Sequence, residues 1–181
     1  MLELDPNTRI GVFIDEANIY HSQKTLGWKV DYVNLKNYLQ KIGNVDSINF
    51  YTGYQVENME QNNRFIKMES EGFRIIKKKV KLIRVSYNRC IKKGNLDVEL
   101  ALDAYSCRET YDTIFLFSGD SDFAYLLQLL KVEGKKVIVF STGGHIANDL
   151  LSLADHYQDI KKLAAVISQN QQTPELAPEG F

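Results

Sequence analysis

Residues 113–134 read TIFLFSGDSDFAYLLQLLKVEG, and their order decides the fold class. TIFLF is a short apolar run of strand length, while SDFAYLLQLLKVEG carries a helical apolar stripe and ends at Gly134, a residue type suited to closing a helix. A strand that turns through Ser-Gly-Asp straight into a helix is half of a βαβ unit, and KKVIVFS (135–141) supplies the strand that completes it. Working outward, NDLLSLAD (148–155) reads as a last short helix, and a helix runs from about Leu96 to Arg108. Toward the N-terminus, RIGVFI (9–14) is a buried strand that stops abruptly at Asp15, with a helix expected from near Asn18. Asp31 is an N-cap ahead of VNLKNYLQKIG, a helix expected to close at Gly43. SINFYTGY (47–54) is a strand, MEQNNRFIKMESEG a helix ending at Gly72, and FRIIKKKVKLIRVSY one or two strands with a solvent-facing basic side. Strands alternating with helices predict an α/β domain on a mostly parallel sheet.

In such open sheets, ligands gather outside the carboxyl ends of the strands. Asp15 follows one strand directly; Asp120 and Asp122 follow another within SGDSD; Asp97 opens the helix before that strand. Carboxylates brought together stay ionised only beside a cation, and an all-oxygen set suits Mg2+ or Mn2+ with coordination positions left for water and phosphate. A metal held in this way can activate water for phosphodiester cleavage. Each acid also has a plainer use. Asp122 and Ser121 suit a helix N-terminus, and so does Asp97. Asp15 is the hardest to explain without a ligand. Asp103 lies on an apolar helical stripe and needs a partner, either behind the pocket or at a neighbouring loop. Asn18 and Ser118 can cap, or can hold water or a phosphate. Thr142, Gly143, Gly144 and His145 follow the last predicted strand and reach the same rim, where a simple turn would also account for them.

Charge is unevenly spread although the net value is only −1. Between Gly72 and Leu96 lie nine of the 22 basic residues and none of the 23 acids. Arg89, Lys92 and Lys93 precede the helix of Asp97 and are placed to meet nucleic-acid phosphates, whose neutralisation drives non-specific affinity. Lys77, Lys79 and Lys81 could serve the same end, or simply guard an edge strand against aggregation. Tyr51, Tyr54 and Tyr87 are candidates for stacking on bases. Cys90 and Cys107 form no CxxC motif and have no histidines at ligand spacing, so they read as idle thiols. No apolar run reaches the roughly 20 residues of a membrane span, and the N-terminal MLELDPNTR does not resemble a signal peptide; a cytoplasmic setting is expected. From about residue 165, AVISQNQQTPELAPEGF loses periodicity and holds two of the three prolines, so we place a domain at 1–164 and a tail at 165–181.

FIDEANIY, KKGNLDVELALDA, FLFSGDSDFAYLL and GKKVIVFSTGG, followed by LLSLADHY, together resemble the successive motifs of the NYN domain, LabA-like branch, within the PIN-like nuclease superfamily. The likeness spans about residues 9–160. It implies a three-layer α/β/α, Rossmann-like fold and a metal-dependent ribonuclease site. The family's metal aspartates fall on Asp15, Asp97, Asp120 and Asp122, the polar partner of the first on Asn18, and its lysine on Lys93, with Gly94 following. Asp103 and Asp155 match further acids of the pattern, and Glu16 is a position at which members vary. The resulting expectation is a Mg2+- or Mn2+-dependent endoribonuclease acting on RNA, single strands favoured, with a homodimer fitting this kind of fold. The alternative is a non-catalytic RNA-binding or regulatory module using the same pocket. An aspartyl phosphatase would need Asp-x-Asp at the first strand, where this chain has Asp15-Glu16-Ala17. A receiver domain fits SGDSD poorly.

Overall fold

The computed structural model describes residues 4–86 and 89–169, with the side chains at 82, 83, 85, 86 and 89–93 outside that description. Six strands form one parallel sheet: β1 (Arg9–Asp15), β2 (Asn44–Tyr54), β3 (Phe73–Lys79), β6 (Thr113–Phe117), β7 (Lys136–Ser141) and β8 (His156–Asp159), in the spatial order β3-β2-β1-β6-β7-β8. β4 (Lys81–Ser86) and β5 (Arg89–Lys93) make a separate antiparallel ribbon. The helices are α1 (Glu16–Leu26), α2 (Tyr32–Gln40), α3 (Met59–Ser70), α4 (Asp97–Ser106), α5 (Ala124–Val132), α6 (Asn148–Leu153) and α7 (Ala164–Ile167).

Strand pleating sorts the apolar residues into two cores. Ile10, Val12 and Ile14 of β1 share one cluster with Phe115 and Phe117 of β6, and with Ile19, Leu35, Phe65 and Ile167 of α1, α2, α3 and α7. Phe13, Ile114 and Leu116 face the other side, against Leu100, Leu127 and Leu150 of α4, α5 and α6. The sheet is therefore sandwiched between two helical layers. β1, β2 and β3 grow outward in one direction, and the chain then returns to place β6, β7 and β8 on the other flank of β1. Right-handed crossovers require the helices to change face at that reversal, and they do. Packing explains Gly11: a Cβ there would lie 2.5 Å from the Tyr111 ring, whose hydroxyl donates to the Ala104 carbonyl at 2.7 Å.

Local signals set most boundaries. The Asp31 carboxylate accepts from the Asn34 backbone N–H at 3.0 Å and starts α2 as expected. Asp31→Ala should cost about 1 kcal/mol, seen as a Tm lower by roughly 2–4 °C. Several boundaries differ from the sequence reading. α1 begins at Glu16 rather than near Asn18, because Asp15 itself is the cap. α2 ends at Gln40 and is capped by Lys41, not closed by Gly43, which instead lets Ile10 approach: a Cβ at Gly43 would stand 2.8 Å from Ile10 Cδ1. A single 3-10 turn, Ser121–Phe123, precedes α5. β8 is too short and polar to be read from sequence, yet it pairs with β7. Loss of periodicity near 165 does not end the packed structure: Ile167 is buried, its carbonyl accepts from the Asp31 N–H at 2.7 Å, and Ser168 bridges to Val30. Residues 170–181 of the predicted tail lie outside the described residues. Among the described residues no helix is long and apolar enough to cross a membrane.

Candidate metal centre

β1 and β6 lie side by side, Ile14 opposite Phe117, and their successor helices leave toward opposite faces. A crevice must open beyond their carboxyl ends. Asp15 stands there, only 8% exposed. Its two oxygens are held separately: the Ser118 hydroxyl donates to Oδ2 at 2.9 Å and the Asn18 backbone N–H to Oδ1 at 3.2 Å. The chain of bonds continues along SGDSD. The Asp120 N–H donates to Ser118 Oγ at 3.2 Å, and the Asp122 N–H to Asp120 Oδ1 at 3.0 Å.

Gly119 makes this turn possible. An added Cβ would meet the His145 carbonyl oxygen at 1.8 Å, and the Ala147 N–H donates to the Gly119 carbonyl at 2.9 Å. The loop of Thr142–His145 thus clamps SGDSD from behind, and His145 Nε2 is hydrogen-bonded to the Thr25 hydroxyl of α1 at 2.7 Å. Asp97 arrives from the opposite wall. The Asn95 amide donates to its Oδ2 at 2.6 Å, and Lys78 of β3 pairs with Glu99 at 2.6 Å, tying the sheet edge to the start of α4. The glycine of the KKGNLD motif has a steric reason as well, since a Cβ at Gly94 would stand 2.9 Å from Val80 Cγ2.

One carboxylate oxygen from each of Asp97, Asp120 and Asp122 lies within 4.8 Å of the other two. Asp15 lies outside that mutual set but within its field. Burial first, with the charges of Asp97 and Asp120 adding to it, pushes the Asp15 carboxyl up to about 6 against the hydrogen bonds from Ser118 and Asn18. Burial and then Asp120 raise Asp97 as well. Among the described side chains, no lysine or arginine is paired with any of the four. Asn18 Oδ1, one turn from Asp15, is buried with no hydrogen-bond partner among the described residues. Clustered hard oxygens with no thiol or imidazole among them fit a dication of the Mg2+ or Mn2+ kind.

Metal-free stability should show the strain. Asp15 binds its proton more tightly folded than unfolded, so its own contribution to stability is fully present below about pH 4 and is lost as pH rises through about 6. Asp15→Asn, which keeps a capping oxygen, should raise the metal-free Tm by about 5 °C at pH 8, from about 2 kcal/mol, and leave it unchanged near pH 4. Thermal melts in EDTA check this, and an unchanged Tm at pH 8 would contradict it.

The remaining expected residues divide. Asp103 accepts from the Tyr51 hydroxyl at 3.0 Å, and Tyr51 lines a small recess together with Asp15 and Asp97, so Asp103 supports the pocket from behind. Tyr51 is itself buried (2% exposed), which corrects its reading as a base-stacking platform. Tyr54 is half-buried, and Tyr87 lies outside the described residues. Glu16 turns from the cluster: its carboxylate accepts from the Thr52 hydroxyl and pairs with Arg64, both at 3.3 Å. Arg89, Lys92 and Lys93 sit on β5, immediately before the loop into Asp97, and their side chains lie outside the described residues. Asn95 and Thr52 were missed from sequence. Asn95, a polar residue two before an acid at a helix start, could have been found.

A doubly wound parallel sheet with an aspartate cluster at its switch point defines a PIN-like α/β domain. The chain belongs to the NYN domain family, a branch of the PIN-like nuclease superfamily, and matches it over residues 9–161. It is LabA-like: it is 30% identical over 178 residues to the Low amplitude and bright protein LabA of Synechococcus elongatus, covering 96% of this chain and 92% of that one. A crystal structure of a protein of unknown function from Vibrio parahaemolyticus shares the fold, with a TM-score of 0.73 and 24% identity over 87% of this chain and 96% of that one.

Proposed function

We propose that this NYN domain is a metal-dependent endoribonuclease that hydrolyses single-stranded RNA. The observation that carries the reading is the convergence of Asp97, Asp120 and Asp122 to within 4.8 Å beside a buried Asp15. Three carboxylates with no paired lysine or arginine among the described side chains are costly to maintain unless a ligand uses them. In this reading Asp97, Asp120 and Asp122 hold Mg2+ or Mn2+, and Asp15 completes the negative wall. The bound ion would supply Lewis acidity toward the scissile phosphate and a reactive water at neutral pH. Ser118 is fully buried and donates to Asp15, so it acts by fixing the direction of that carboxylate. Asn18, through its free Oδ1, orients water or the phosphate. Arg89, Lys92 and Lys93, on the strand that precedes the Asp97 loop, are the candidates to contact the RNA backbone.

A panel of labelled single-stranded and hairpin RNAs, incubated with purified protein and Mn2+, tests the proposal. Internal cleavage that EDTA abolishes is expected. RNA that is bound but left intact across the panel would replace this reading with a non-catalytic RNA-binding or regulatory module.

A further inference from the structure

A second concavity of about 460 Å3 lies beyond Glu16, lined by Tyr20, Lys24, Trp28, Lys29, Tyr32 and Arg64 among others. An adjoining hollow along α3 shares Glu16, Tyr20 and Arg64 with it, so the two form one groove with a Tyr20–Arg64 ridge. The groove begins beside the aspartate cluster. Glu16 follows Asp15 in the chain, and its carboxylate accepts from Thr52, which lines the recess shared by Asp15 and Asp97.

Three features of the first cavity point to the same ligand. Flat aromatic surface is on offer from Trp28, which is half-buried, and Tyr20, which is 51% exposed. Cations stand at its mouth: Lys29 is exposed, and the Lys24 ammonium lies 4.7 Å over the Tyr20 ring. The third feature is an unused donor. Tyr32 is 9% exposed, burial holds its phenol firmly protonated, and its hydroxyl has no hydrogen-bond partner among the described residues. Tyr32 lines the cavity together with Glu16 and Arg64. A buried donor left without an acceptor costs free energy, which a ligand oxygen or ring nitrogen can recover. Stacking surface, a basic mouth and a buried donor together match an unpaired nucleotide: ring on ring, phosphate on lysine, base edge on the phenol.

We infer that the Trp28–Tyr32 cavity seats one unpaired nucleotide of the RNA strand whose backbone crosses the aspartate cluster. This extends the endoribonuclease reading and rests on it for the identity of the strand. Glu16, held by Arg64 and Thr52, is the partition between the two sites. The seat would fix which phosphate reaches the cluster, and it would exclude duplex, since a paired base cannot enter a cavity of this size.

Trp28 is the sole tryptophan of the chain, so its fluorescence reports on this cavity directly. The full-length protein in EDTA, where no cleavage can occur, is titrated with a single-stranded oligoribonucleotide of about ten residues, with the same sequence as a duplex, and with AMP and UMP. Saturable quenching by the single strand is expected, with Lys24→Glu or Lys29→Glu weakening it about tenfold and Tyr32→Phe about fivefold. Tyr32→Phe keeps the ring packed on Phe50, so an unchanged Tm separates lost binding from lost fold. The proposal is overturned if the single strand leaves Trp28 fluorescence unchanged, if duplex quenches equally, or if AMP or UMP binds as tightly as the strand. Because the measurement needs neither metal nor cleavage, an inactive protein that still quenches would sink the nuclease reading alone.

Discussion

Asp97→Asn is expected to lower Mn2+-dependent RNA cleavage by about a thousandfold while leaving the fold intact, the scale seen when a charge-stabilising group is removed from a reaction centre. The substitution is nearly isosteric. Asn95 can rotate its amide to present oxygen rather than nitrogen, so the hydrogen bond at 2.6 Å need not be lost. Only the negative charge shared with Asp120 and Asp122 disappears. Since burial and Asp120 both disfavour that charge in the metal-free protein, the variant should melt at the same temperature as wild type or above it. Gel-based cleavage assays and thermal melts in EDTA, run together, check both halves. A variant that cleaves normally would remove Asp97 from the reaction. One that loses activity because it unfolds would make Asp97 a structural residue.

Gly119→Ala is expected to be the most damaging alanine substitution among the described glycines. Its Cβ would stand 1.8 Å from the His145 carbonyl oxygen and 2.7 Å from that carbonyl carbon. The obstruction is backbone, not the end of a flexible side chain, so relief requires moving SGDSD or the Thr142–His145 loop. Either movement breaks the Ala147-to-Gly119 hydrogen bond and displaces Asp120 from Ser118. A loss of about 3 kcal/mol or more follows, lowering Tm by roughly 6–12 °C, with cleavage falling to background even below the melting transition. A Gly119→Ala protein with wild-type Tm and activity would mean that the clamp behind the turn is not built as described.

The aspartates were legible because each sits where a strand ends or a helix begins, positions that topology sends to one rim. The topology itself was legible because buried parallel strands such as RIGVFI and TIFLF contrast so plainly with the helical stripe of AYLLQLLKV. What stayed hidden depends on neighbours distant in sequence. Tyr51 sits in a strand covered on both faces, so alternation along SINFYTGY carries no sign of exposure, and its hydroxyl is committed to Asp103. Gly43 resembles a helix terminator, yet it answers to Ile10 across the sheet. By sequence position alone, Glu16 is equally placed to face the cluster. The placement of Thr52 on β2 and Arg64 on α3 turns it away. The nucleotide cavity draws Tyr20 and Trp28 from either side of Gly27, whose φ of +75° bends the chain between them, and no motif announces that pairing.

Calorimetric titration of the EDTA-stripped protein with Mn2+ at pH 7.5, for wild type and Asp120→Asn, bears most directly on the whole account. Wild type should take up the ion saturably with a Kd of roughly 0.1 mM or tighter, and bind it less tightly as pH falls through about 6, where Asp15 takes up its proton. Asp120→Asn should bind at least about tenfold more weakly. No heat of Mn2+ or Mg2+ binding to wild type, or equal binding by the variant, would contradict the claim that these carboxylates are gathered to hold a dication.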